Sequence, residues 1–255
     1  MSTTHQQSIL DQFTRQAIPF STSPSIKDEI ALNLLIQASG AGPTDTVLDV
    51  ACGGGIVVCG FARVVAHATG IDLTPAMLDR ARQLQVEKGL TNVTWTHGDV
   101  LPLPFPDATF SIVTSRFAFH HFLDPLAVMG EMKRVCKLGG KVIVADSAPA
   151  ADKVDAFNAM EKLRDPSHTR ALPVEELTAL FASAGLEHPR VDRWQMDGEL
   201  DALLARSFPL PGDDARVRDM FRESLEDDAL GLAPRVEDGR IVYAFPMVLV
   251  AATLT

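Results

Sequence analysis

The 255-residue sequence predicts an α/β fold with a mostly parallel sheet, on three observations. Short β-branched runs alternate with helical patterns from about residue 46 onward, as in βαβ units. The strand-like runs 110–115 and 141–146 lack polar alternation, as strands covered by helices on both faces should. A hydrophobic fraction of 46% against 22% charged supplies apolar material for a full core, so 1–255 is expected to form a single domain.

The elements follow in order. Residues 1–40 look helical and are expected to form an N-terminal cap ahead of the first strand, 46–50. A glycine turn then leads into a helix that runs to about Val65. The second strand, 67–72, is followed by a helix over 75–88 with Leu78, Ala81 and Leu84 on one face. Thr74 stands at its N-cap, Pro75 suits its first position, and Gly89 suits its stop. Residues 93–97 and 110–115 read as strands three and four. A helix opening at Asp124 and Pro125 runs to near Lys137, ahead of Gly139 and Gly140 and of strand five, 141–146. Leu177, Leu180, Phe181 and Ala184 fall at i, i+3, i+4 and i+7, which predicts a helix over 173–184. Residues 195–239 are acidic and punctuated by Pro and Gly, and predict short helices inserted before the last strand; the acidic stretch 213–228 reads as a solvated face. The closing run 241–252 contains Pro246, which cannot donate to a central ladder, so a kink or a strand start is expected there.

Composition narrows the function classes. A net charge of −10 without a basic run argues against a nucleic-acid partner. The N-terminus has neither the basic start nor the apolar stretch of a signal peptide, and no window approaches the ~18 apolar residues of a membrane span. A cytoplasmic location follows as the expectation, with no membrane partner and no oligomeric state selected. Cys52, Cys59 and Cys136 show no CxxC or Cys/His spacing, so buried thiols rather than a disulfide or a metal site are expected.

The stretch V-L-D-V-A-C-G-G-G at 47–55 carries the chemistry. A buried strand runs into glycines and then a helix, which brings main-chain N–H groups and a positive helix end to the carboxyl edge of the sheet. Ligands of open α/β sheets bind at that edge. Asp72 ends the second strand about twenty residues beyond the glycines, the spacing at which a carboxylate reaches ribose hydroxyls. Asp99 follows the third strand, where it can accept from an adenine amino group. A dinucleotide fingerprint wants a third glycine where Val58 stands, which disfavours an NAD-dependent oxidoreductase, and no G-K-[ST] follows to make a P-loop. An adenosine cofactor without phosphates fits better.

With VLDVACGGG, GIDLTPAML, HGDVLPLPFPDATFSIV and RVCKLGGKVIV in view, the sequence resembles the class I S-adenosylmethionine-dependent methyltransferases of the UbiE/COQ5-like group over about 46–147. Its flanks resemble the YcgJ-like bacterial branch, through FTRQAIPF at 13–20, RFAFHHFLD at 116–124 and LRDPSHTR at 163–170. The resemblance implies a Rossmann-like seven-stranded sheet of order 3-2-1-4-5-7-6 with strand seven antiparallel. It implies S-adenosylmethionine as cofactor and S-adenosylhomocysteine as product. The loop of Asp49, Ala51, Cys52, Gly53 and Gly55 would hold the methionine portion, Asp72 the ribose, and Asp99 with Val100 the adenine. Leu73 and Met77 would flank the base, and Phe13, Gln16 and Phe20 would close over the cofactor. Ala51 replaces a usual glycine, tolerable if its φ is negative, and Phe20 replaces a frequent Tyr.

Methyl transfer is an in-line displacement in which the protein holds acceptor, methyl and sulfur collinear. A general base is needed only for an acceptor that arrives protonated. His120 and His121 follow the fourth strand and are the catalytic candidates. Adjacent helix positions diverge by about 100°, so one of the two is expected to face the pocket. Arg116 could orient the cofactor carboxylate or the acceptor. Arg164, Asp165, His168 and Arg170 form a charged turn that is either a helix cap or a polar acceptor wall, with Arg164 and His168 as substrate-binding candidates. Phe117, Phe119 and Phe122 are either pocket lining or core, with Phe117 the substrate-binding candidate. The expected reaction is methyl transfer to a small-molecule O, N or C nucleophile, with aromatic or quinone-like acceptors among the candidates. The alternative is a cofactor-binding protein that transfers no methyl group.

Overall fold

The computed structural model describes residues 3–23 and 29–255, and of these the side chains of all but 3 and 20–22. Two helices, α1 (Thr3–Thr22) and α2 (Glu29–Ser39), precede the sheet. Strands β1 (Thr46–Val50), β2 (His67–Asp72) and β3 (Val93–His97) alternate with α3 (Ile56–Phe61) and α4 (Pro75–Glu87). β4 (Phe110–Arg116), α5 (Pro125–Val135) and β5 (Cys136–Ser147) complete the parallel half. α6 (Val154–Arg164), α7 (Val174–Ser183), β6 (Arg190–Glu199), α8 (Leu200–Ala205), α9 (Asp213–Asp227), β7 (Arg235–Glu237) and β8 (Arg240–Thr253) follow.

The sheet order is β3-β2-β1-β4-β5-β8-β6, with β7 paired to β8. β8 is antiparallel to both β5 and β6, so the expected Rossmann-like order and its antiparallel strand are present. The additional strand, β7, is three residues long and exposed throughout, and so left no apolar signal in the sequence. β5 begins five residues earlier than expected, because the chain enters the ladder directly from α5, with Cys136 opposite Phe110. No helix among the described residues is long and apolar enough to cross a membrane.

The expectation for Pro246 is corrected. β8 runs straight through it, with Pro246 opposite Gln195 of β6. β5 ends one position earlier, at Ser147 opposite Met247, and the Pro246 carbonyl accepts from the Ala148 amide at 2.8 Å. Backbone N and C=O of one strand residue point to the same side, so the missing N–H faces the edge that β5 has just left. The 195–239 region holds α8 and α9 as expected, but β6 continues to Glu199 before them. Val217 and Phe221 turn the buried face of α9 toward Phe157, Leu203, Tyr243 and Phe245, while its acidic residues face out. This second core lies beyond the carboxyl end of β5 and walls the site described next.

Candidate active site

Two adjoining cavities open at the carboxyl edge of the sheet. The first encloses about 880 Å³, part of it open to solvent, where β1, β2 and β3 end. Its floor is the glycine loop. The Cys52 amide donates to the Ile71 carbonyl at 2.9 Å, and the Gly53 and Thr74 amides each donate to one oxygen of Asp72 at 2.8 Å. Asp72 thus ties two loops together, and its remaining lone pairs face the cavity it lines. Burial lifts its pKa, and the two amides pull the other way. Asp49, 2% exposed, has one oxygen with no hydrogen-bond partner. Burial pushes it up to about 8, against the attraction of Arg116 and with added repulsion from Asp72.

The lining includes Phe13, Asp49, Ala51, Cys52, Gly53, Asp72, Leu73, Met77, Asp99, Val100 and Arg116, all cofactor candidates from the sequence, and also Phe117, which was the acceptor candidate. Asp99 is held by the Val100 amide at 2.7 Å and by Gln6 of α1 at 2.6 Å. Four expectations are revised. Ala51 has φ +59°, not a negative value, because the turn that brings Cys52 back to Ile71 needs the left-handed region. Gly55 does not line the cavity; its φ of +80° and the approach of Trp95 within 2.6 Å of where a Cβ would lie make it a packing glycine. Thr74 occupies the cap position of α4 but makes no cap hydrogen bond, and its hydroxyl is buried without a partner at the cavity wall. Gln16 lines the second cavity rather than the first. The side chain of Phe20 lies outside the described residues.

The second cavity, about 600 Å³, shares Phe13, Phe117 and His121 with the first. His120 and His121 sit on a short 3₁₀ turn, Phe119–His121. Both rings line this cavity, 4.3 Å apart, where one had been expected. Each is turned by its own acceptor. His120 Nδ1 meets Asp146 Oδ1 at 2.6 Å, and His121 Nδ1 meets the Ser167 carbonyl at 3.0 Å. Both acceptors fix the proton on Nδ1 and leave Nε2 as the basic nitrogen.

Their environments pull the two histidines apart. Burial works to lower the His120 pKa, but the charge and hydrogen bond of Asp146 outweigh it and hold the imidazole above its ordinary value. Asp146 is held correspondingly low despite its own burial. His121 is pushed down to about 4, by burial and then by His120. His168 lines neither cavity; it lies behind the pair, 5.4 Å from His120, with Nε2 donating to Asn158 Oδ1 at 2.7 Å. Burial drives its pKa far down as well.

Arg164 lines the second cavity and grips both oxygens of Glu161 at 2.8 and 2.6 Å. Asp165 accepts from Ser167 Oγ at 2.6 Å and Gln16 at 3.2 Å, while Arg170 pairs with Glu176 at the surface. Phe122 lines the first cavity, whereas Phe119 is core. Asp146, Glu161 and Arg206 were missed in the sequence reading. Only Asp146 carried a signal, its place at the carboxyl end of a buried strand.

The donor set fits a molecule with an ammonium, vicinal hydroxyls and a flat base. The orphaned Asp49 oxygen accepts the first, the free lone pairs of Asp72 the second, and Leu73, Met77 and Val100 pack against the third.

Comparison with known proteins bears on this geometry. Residues 48–144 match the family described as methyltransferase domain. The chain is 34% identical to an uncharacterized methyltransferase, YcgJ of Bacillus subtilis, over 69% of its own length and 70% of that protein's. The YcgJ crystal structure superposes with a TM-score of 0.81 at 28% identity, covering 89% of this chain and 98% of that one. The chain is 34% identical to the ubiquinone/menaquinone biosynthesis C-methyltransferase UbiE of Teredinibacter turnerae, over 54% of this chain and 55% of that one. The [4+2]-cyclase SpnF shares the fold alone, with a TM-score of 0.62 at 20% identity over 88% of this chain and 81% of that one.

Proposed function

The chain belongs to the class I S-adenosylmethionine-dependent methyltransferases, and from that premise we propose that it methylates a small molecule whose nucleophile arrives protonated. The His120–Asp146 dyad on the wall of the second cavity carries this reading. The first cavity is the cofactor site: Asp49 and the loop to Gly53 take the methionine end, Asp72 the ribose, and Asp99 with Val100 the adenine. The cofactor, when bound, supplies a methyl group on a positively charged sulfur.

The protein's own residues do the remainder. His120 Nε2 takes the proton of the acceptor's O–H or N–H as the new bond to methyl forms and the carbon–sulfur bond breaks. Asp146 is the positioning residue that keeps the proton of the imidazole on Nδ1 and stabilises the imidazolium. His121, held neutral, separates the two cavities beside Phe13, whose ring meets it at 5.0 Å. A cavity of about 600 Å³, part of it open to solvent, lies in the size range of small-molecule sites, which supports a metabolite as acceptor. We take 46–147 as the cofactor-binding core of a single domain, with α1 of the N-terminal cap meeting the 195–239 insertion beside the acceptor cavity, since Gln12 and Gln16 of α1 both donate to the Ser207 carbonyl. The cytoplasmic location expected from the sequence belongs to the same reading.

Transfer of label from methyl-tritiated cofactor to small-molecule fractions of a cell extract tests it. Labelled product in the extract fraction below about 1 kDa supports the reading; cofactor binding with no labelled product overturns methyl transfer and leaves a binding protein.

A further inference from the structure

The charged groups of the second cavity are matched unequally. Asp146 is matched by His120, Glu161 by Arg164, and Asp165 is satisfied by Ser167 and Gln16. Arg206 also lines this cavity, half-buried, and forms no ion pair among the described residues. Its polar neighbours are the phenol of Tyr243, which accepts a hydrogen bond from it, Arg164, which repels it, and Glu161, which attracts it while both its oxygens are bound to Arg164. That phenol is itself pushed up to about 12 by burial, so it stays neutral near pH 7 and offsets no charge. A guanidinium drawn partly out of water gains from an anionic partner.

The position is held firmly. Arg206 caps the C-terminus of α8, and the next residue, Ser207, is pinned from three sides: its carbonyl by Gln12 and Gln16, and its hydroxyl by Arg164 at 3.1 Å. The lining of the same cavity also has an apolar part, Met196, Leu203, Phe245 and Met247.

We propose that Arg206 is the specificity residue of the acceptor site, and that the acceptor is a hydroxyaryl carboxylic acid. Its carboxylate lies at Arg206, its ring on the apolar wall and its hydroxyl at His120. The proposal rests on the methyl-transfer reading above. A guanidinium without an ion pair favours an anionic group, and its planar fork matches a carboxylate. The dyad calls for a proton-bearing nucleophile, and a phenol supplies one. On transfer the phenolic oxygen gains the methyl group, its proton goes to His120, and the sulfonium becomes a neutral thioether.

Calorimetry on protein saturated with S-adenosylhomocysteine tests this, with a set of hydroxybenzoates and hydroxycinnamates each matched to its carboxamide. The expected result is at least one acid bound about tenfold or more tighter than its amide, equal affinities for that pair in Arg206→Gln, and partial recovery in Arg206→Lys. Unchanged S-adenosylhomocysteine affinity in both variants verifies that the first cavity is intact. An acid preference absent from the native protein, or surviving in Arg206→Gln, overturns the proposal. Acid preference without methyl transfer would leave Arg206 as an anion site and remove the methyltransferase reading, whereas equal methylation of acid and amide would do the reverse.

Discussion

The two cavities share a wall but handle buried charge in opposite ways. In the first, Asp49 and Asp72 are both shifted upward by burial, and Asp49 keeps an oxygen with no partner. In the second, Asp146 and Asp165 are held low because each is committed to neighbours inside the protein. A buried carboxylate without a partner stores free energy that only a ligand releases. One that already has a partner instead tunes the proton affinity of that partner. The first cavity is therefore built to bind and the second to move a proton.

The sharpest way to break this contrast is His120→Asn, which removes the base but not its neighbours. We expect kcat to fall about 10²–10³-fold while S-adenosylhomocysteine affinity stays within about twofold. A parallel loss of affinity would show that the cavities are not separable. Asp49→Asn is the converse. Losing a charged acceptor should weaken S-adenosylhomocysteine about 100-fold by calorimetry. Because burial lifts the Asp49 pKa to about 8, the ligand-free variant should also melt higher, by about 2–4 °C for each kcal/mol recovered.

Asp146→Asn removes the group that holds His120 above its ordinary pKa. The alkaline-rising limb of the kcat profile should move to lower pH, with about a tenfold loss at its plateau. A variant with unchanged limb position would sever the dyad from catalysis.

Acid stability probes the same neighbours. His121 is pushed down to about 4 and His168 is lowered too, so the unfolded chain binds protons there that the folded chain refuses. Their stabilising contribution is complete above about pH 6.5 and is lost as pH falls toward 4, by up to ~1.4 kcal/mol per pH unit for each group. His120, raised, contributes with the opposite sign: its share is present below about pH 6.5 and fades as pH rises through its folded value. Denaturant midpoints between about pH 4 and 7 check the balance, and a flat profile would refute the buried neutral imidazoles. The smallest effect belongs to Ala51→Gly, which relieves φ +59° and should stabilise by about 1 kcal/mol or less, with cofactor affinity kept.

Much of the first cavity could be read from the chain itself. Asp49, Asp72 and Asp99 lie at or just beyond the ends of three successive strands, and β1, β2 and β3 span the residues the sequence predicts for them. Local periodicity and turn chemistry fix such a site, because the sheet needs only its register to align the three ends. Ala51 and Gly55 mark the limit even there. A φ value depends on the hydrogen bond from Cys52 to Ile71, and a packing glycine on how closely Trp95 approaches.

The second cavity was legible only in pieces. His120 and His121 stood out as residue types, but a rule for regular helices gave one inward ring where a 3₁₀ turn with two acceptors gives both. The partners that set their roles, Asp146 and Ser167, lie 26 and 46 residues away. Arg206 carried no signal at all, since its meaning lies in the ion pair it fails to make.

By itself, then, the sequence determined the parallel sheet, the acidic positions at its carboxyl edge and the kind of cofactor they suit, because each is a local pattern repeated along the chain. Tertiary structure alone decided that β8 runs through Pro246, that both histidines face the acceptor side, and which buried charges go unpaired. Those are properties of distant segments meeting in a low dielectric, where a single partner decides whether a charge binds a ligand, tunes a proton or is left waiting.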